Sequence, residues 1–239
     1  MYPAYRIAFI RLVLLACGAG LTYGFLQLLG IASSFPPDPR LACMYFTVVN
    51  FMCLWLIKKQ FQADGTHWKT FLGFEKARLH IDCAWALLWL VVLYIPFFFA
   101  IMLVPLAIYG VDGFQYLETA FIPAQPAVLP APIEYVLVIA VALLFPLFNA
   151  PVEEIIYRGF ALQLAPLSKV LALALQAFVF ALHHVLLAPT PLAAAIYLVA
   201  FFIWGLGAGI IVLKQRRLMP MVLSHFIINF AFSIPALFV

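Results

Sequence analysis

CAWALLWLVVLYIPFFFAIMLVPLAIY, residues 83–109, carries no charged side chain. It is longer than the roughly 20 apolar residues that an α-helix needs to cross a bilayer core. Further runs of the same kind lie at 7–31, 41–57, 133 towards Glu153, 170–187, 192–213 and from Met221 to the end of the chain. The whole sequence agrees: 67% of its 239 residues are hydrophobic and only 9% charged, with a mean hydropathy of +1.13. A soluble domain carries roughly 25% charged residues, so this chain could not cover itself in water. The runs are continuous rather than alternating, which excludes a barrel. The expected fold is an all-α polytopic bundle of about seven transmembrane spans, a single integral membrane domain over 1–239.

Proline-rich breaks separate the spans, at Phe35-Pro-Pro-Asp-Pro39 and Ala188-Pro-Thr-Pro191. Leu14-Leu15-Ala16-Cys17 loosely resembles a lipoprotein cleavage box, but the apolar stretch runs on to about Ile31. That is too long for a signal-peptide core, and an uncleaved first span is expected. Cys17, Cys43, Cys53 and Cys83 form no CxxC pair and read as small buried hydrophobes.

Lysine and arginine set the orientation. Segment 58–82 holds Lys58, Lys59, Lys69, Lys76 and Arg78, and the turns at Lys169 and at Lys214, Arg216 and Arg217 fall on the same side of the membrane. Loops 111–132 and 188–191 contain neither residue; Arg40 is the exception. The N-terminus is therefore expected in the cytoplasm and the C-terminus outside it. Trp68, Phe71, Leu72 and Phe74 mixed among those bases suit a cytoplasmic segment lying in the interface. Segment 111–132, with its prolines, reads as an irregular cap on the other side. Gly205 and Gly209 form a small-xxx-small pair that lets a neighbouring helix approach closely. The chain shows no internal repeat of the kind found in many transporters.

Ionisable groups within spans are costly, so each needs a reason. Arg11 lies close enough to a cytoplasmic end to snorkel. In the C-terminal half, Glu153, Glu154, Arg158, His183, His184, His225 and Asn229 all fall in or at the ends of strongly apolar segments. Glu154 and Arg158 are four apart, as are Phe180 and His184, and His225 and Asn229, so each pair shares a helix face. Burying any of these groups alone would be expensive; gathering them in one cluster is not. Isolated His and Asn residues do serve as interhelical glue. Here the set includes a carboxylate for base work, imidazoles for proton transfer and an amide donor, the parts needed to hydrolyse an amide with activated water.

Glu153-Glu154-Ile-Ile-Tyr-Arg158 resembles the EExxxR signature of the CAAX-protease and bacteriocin-processing (CPBP) family of intramembrane proteases. Phe180-Ala-Leu-His183-His184 resembles its FxxxH element, which selects His184, and His225-Phe-Ile-Ile-Asn229 its HxxxN element. The resemblance covers residues 133–239. It implies a cavity within the membrane where Glu153 activates water, His184 assists as acid and base, and His225 and Asn229 stabilise the oxyanion. Arg158 would hold a carboxylate, that of Glu154, and His183 stays a structural neighbour. Reconciling the depths of the motifs requires helix to continue through Gly159, with Pro151 as its first residue. The site then lies nearer the cytoplasmic side.

Glu153, His184 and His225 also make a zinc set on paper. There is no HExxH helix, and Asn229 suits an oxyanion donor better than a ligand, so metal-free glutamate chemistry is the favoured reading. The resemblance implies a peptide or membrane-protein substrate: a prenylated CaaX tail, a bacteriocin leader or a membrane-protein terminus. The bilayer is the medium, no nucleic acid is expected, and the bacterial inner membrane is the expected compartment. The alternatives are an inactive family member acting as a subunit of a membrane-protein partner or as an immunity factor, a proton-coupled transporter, and a purely structural subunit.

Overall fold

The computed structural model describes residues 3–234, and among these no strand occurs. The helices are α1 (Pro3–Leu28), α2 (Pro39–Ala63), α3 (Trp68–Leu72), α4 (Leu79–Tyr109), α5 (Gly113–Ala120), α6 (Ala131–Glu153), α7 (Lys169–Val185), α8 (Pro191–Gln215) and α9 (Met219–Ser233). A π-helical segment, Glu154–Ala161, continues α6. Five helical stretches are long and apolar enough to cross a membrane, and α7 and α9 are shorter apolar helices. This is an integral membrane protein. The last expected span runs into residues 235–239, which lie outside the described residues.

Helix starts follow local chemistry. Asp38 caps α2 by accepting from the backbone N–H groups of Arg40 and Leu41, with Pro39 at the first turn. Ser168 caps α7 and Thr190 caps α8 in the same way. The helices pack as a ring, in the order α1, α2, α6, α9, α4, α8, α7, closed by contacts of α7 and the π segment with α1. Phe46, Val152, Ile156, Tyr157, Phe160 and Phe180 fill the centre. Large apolar side chains such as Leu21, Val91, Phe99 and Leu143 cover the outside, as lipid requires.

The loops gather at two ends. At one, Arg217 in the α8–α9 turn donates to Gly73 O at 2.7 Å and pairs with Asp82 at 2.8 Å. At the other, Ser34 N donates to Gln125 O at 2.8 Å, Arg40 pairs with Glu134, and Thr190 Oγ1 donates to Ala120 O at 2.8 Å. The glycine pair on α8 faces α7: a Cβ on Gly205 would stand 2.9 Å from Ala177 Cα, and Gln176 Nε2 donates to Gly205 O at 2.8 Å. Close approach exposes a backbone carbonyl to a buried amide, which neutral packing alone would leave unpaired.

Three sequence-based expectations need correction. Segment 111–132 is not irregular throughout, because α5 folds back against α4, with Gly113 providing the room beside the Pro105 carbonyl. Pro151 does not start a helix but sits inside α6. A proline frees a carbonyl one turn earlier and widens the helix locally, and neighbouring helices make that tolerable in a membrane. Of the four cysteines only Cys53 is buried; Cys17 and Cys83 face outward, where lipid is as suitable a neighbour as protein.

Candidate active site

The π segment is the centre of the bundle, and all eight of its residues are buried. A π turn is wider than an α turn, so consecutive side chains diverge by a smaller angle. This lets Glu153 and Glu154 both point inward, and such segments recur at functional sites. Around them α7 contributes His183 and His184, and α9 contributes His225, with Asn229 one turn further along the same helix.

Glu153 is wholly buried. Its Oε1 accepts from Arg11 Nη2 at 2.6 Å and lies 3.1 Å from His183 Nε2. Its Oε2 has no hydrogen-bond partner among the described residues and stands 3.6 Å from His225 Nε2. The two oxygens are thus unequal: one is held, the other open. Glu154 Oε1 accepts from His225 Nδ1 at 2.8 Å and lies 3.2 Å from Arg158 Nη1. The Arg158 guanidinium also sits 4.0 Å above the Phe180 ring, a cation–π contact in a desolvated setting. His225 is therefore bonded to Glu154 and stands over the open oxygen of Glu153.

The two neighbouring histidines do different things. His184 Nδ1 lies 2.9 Å from Phe180 O. A carbonyl only accepts, so that nitrogen carries the proton in the neutral ring and Nε2 is left as a free base. The ring stacks on Phe201, with centroids 3.4 Å apart. His183 has no exposure, lies flat against Tyr157, and places Nδ1 3.1 Å from the Tyr157 hydroxyl. A proton on Nε2 leaves Nδ1 to accept from Tyr157 and places that N–H 3.1 Å from the Glu153 carboxylate, without an aligned hydrogen bond. The expectation that His183 is a bystander is therefore corrected: it touches the same carboxylate oxygen as Arg11. Asn229 Nδ2 is buried with no partner among the described residues.

Arg11 does not snorkel. It lies about 12 Å along α1 from Pro3, has no exposure, and reaches the centre of the bundle instead. Its Nη1 donates to Asn50 Oδ1, and its Nη2 donates to Asn149 Oδ1 at 3.1 Å besides Glu153. Asn50 Nδ2 donates to Asn149 Oδ1 at 3.1 Å. A full carboxylate at the end of the reach offset the cost of carrying the guanidinium inward. Sequence reasoning missed Asn50, Asn149 and Tyr157. Asn149 was detectable, being one helical turn before Glu153.

Glu153, His183 and His184 each offer a ligand atom, all within 4.8 Å of one another. By donor type they fit zinc, although His183 replaces the His225 of the set expected from sequence. Charge argues the other way. Arg11 and Arg158, both without exposure, already balance the two glutamates. A dication would leave surplus positive charge in a low-dielectric interior.

A cleft of about 810 Å³ opens between α2, α3 and α6. Its walls are apolar and include Pro151, two residues before Glu153, and Ile155, next after Glu154, with Lys58 and His67 also in the lining.

No curated protein and no solved structure matches the chain. Residues 135–231, which hold every site residue contributed by α6 through α9, match the family described as type II CAAX prenyl endopeptidase Rce1-like.

Proposed function

We propose that this chain is an intramembrane endopeptidase that hydrolyses a peptide bond with a water activated by Glu153, without a metal. The observation that carries the reading is the unequal carboxylate: Oε1 is held by Arg11 at 2.6 Å with His183 Nε2 3.1 Å away, and Oε2 is free beside His225 Nε2 at 3.6 Å. Water bound at Oε2 gives a proton to Glu153 as its oxygen attacks the substrate carbonyl carbon. Negative charge then develops on the carbonyl oxygen. The unpaired Asn229 amide is a donor for it. His225, with its Nδ1 proton committed to Glu154, also donates from Nε2 when the ring is doubly protonated. As the C–N bond breaks, the amine leaves with a proton drawn from Glu153 and relayed through His184, whose Nε2 is free to accept and return it. Arg158 and Glu154 fix His225 rather than react.

The apolar cleft beside Pro151 and Ile155 suits a substrate segment that arrives from the bilayer. Membranes holding the chain, compared by mass spectrometry with membranes lacking it, should contain new peptide termini, and these should still form in the presence of a zinc chelator. Loss of the termini under chelation, with recovery on adding zinc, would instead make Glu153, His183 and His184 ligands.

The orientation proposed is N-terminus in the cytoplasm and C-terminus outside. The end that carries Arg217, Gly73 and Asp82 is the one rich in lysine and arginine, which favours the cytoplasmic face. Single cysteines at Thr70 and Thr119, both exposed, test it in a chain whose native cysteines are replaced by alanine. An impermeant maleimide added outside should label position 119 and not position 70; the reverse pattern would invert the topology.

A further inference from the structure

We propose that Arg11, on α1 and outside the family-matched segment, is a positioning residue for Glu153, holding Oε1 so that Oε2 alone is presented to water. The inference rests on the hydrolytic reading of the site. It starts from where the guanidinium is spent. Arg11 has no exposure, and its charge is placed 2.6 Å from one carboxylate oxygen of Glu153 and nowhere else. The other acceptors on the guanidinium, Asn50 Oδ1 and Asn149 Oδ1, are neutral. They steer it without neutralising it, and they are tied to each other by the Asn50 Nδ2 to Asn149 Oδ1 bond. Phe46 lies below, its ring centroid 5.6 Å from Arg11 Cζ. The guanidinium is therefore fixed by α2 and α6 before it meets the carboxylate.

Its consequence is geometric. A buried carboxylate held only by neutral imidazoles could rotate and present either oxygen. With Oε1 committed to a charge-assisted bond, rotation is blocked and the open oxygen faces His225. Interhelical glue is the simpler account of a buried arginine. Glue would join α1 to α2 and α6 through Asn50 and Asn149 alone; it gives no reason for the contact with the reacting carboxylate.

The test uses the full chain reconstituted in liposomes, with Arg11→Met, Arg11→Lys, Glu153→Gln and the double variant R11M/E153Q. Cleavage is followed on a peptide that the wild-type chain releases from membranes. Arg11→Met should lower kcat about 10²-fold, the scale of a small misplacement of a reacting group, with KM nearly unchanged. Arg11→Lys keeps the charge but loses the fork and should return kcat to within about tenfold of wild type. The thermal midpoint should fall in Arg11→Met and recover in R11M/E153Q, because removing both charges leaves neither unpaired. Wild-type kcat in Arg11→Met, or a double variant as unstable as Arg11→Met, would overturn the proposal while leaving the hydrolytic reading intact. Activity retained by Glu153→Gln would overturn both.

Discussion

Glu153→Gln should lower cleavage about 10²- to 10⁴-fold, the range expected on removing a general base, with expression and membrane insertion near those of the wild-type chain. Glutamine keeps the shape and can still accept from Arg11 at the position of Oε1, which lies 2.6 Å from Nη2. What it loses is the basic oxygen. His184→Ala and His225→Ala should be comparably severe, because base, proton relay and oxyanion donor act in one transition state and their losses do not add. Asn229→Ala removes a single donor and should cost about 10²-fold. His183→Ala should cost activity too, on the order of 10- to 10²-fold, since its ring touches Oε1 at 3.1 Å and helps orient the carboxylate. Initial rates normalised to inserted protein would measure the series.

Arg158→Ala should act through stability first. Arg158 and Glu154 are both without exposure, and their nearest nitrogen and oxygen are 3.2 Å apart. Removing the guanidinium strands a buried carboxylate, a destabilisation of about 3–5 kcal/mol. It also removes the cation above Phe180. Lower abundance in the membrane and a lower thermal midpoint in detergent are expected, and Glu154→Gln in the same chain should recover part of both. An unchanged midpoint in Arg158→Ala would mean that the ion pair contributes nothing to the fold.

The bundle was readable from sequence because an uncharged run such as 83–109 has one stable solution in a bilayer: α4 occupies the whole of it. Short, mixed segments were less readable. In 111–132 four prolines suggest an irregular backbone, yet all four follow Ala120, and α5 forms ahead of them, held by its packing on α4. Pro151 carried two meanings, a helix start or a local widening. The bundle around it permits the second, which the residues next to it cannot reveal.

At the site, pairs with helical spacing stood out, and Glu154 does meet both Arg158 and His225 in the structure. Single polar residues did not stand out. Arg11 and Asn50 each sit alone in an apolar run, and only tertiary packing reveals that each is the other's partner across α1 and α2. His183 and His184 differ by one position, so motif spacing chose between them. The packing does not, since α7 is covered by α1, α8 and the π segment, and both rings face inward.

The most direct measurement compares peptides released in proteoliposomes by the purified wild-type chain and by Glu153→Gln, at equal reconstitution, on one natural substrate found in wild-type membranes. Cleavage by the wild-type chain, and its loss by about 10²-fold or more in the variant, is the result that a glutamate-activated water requires; equal cleavage by both would contradict it and leave the buried polar cluster as interhelical glue.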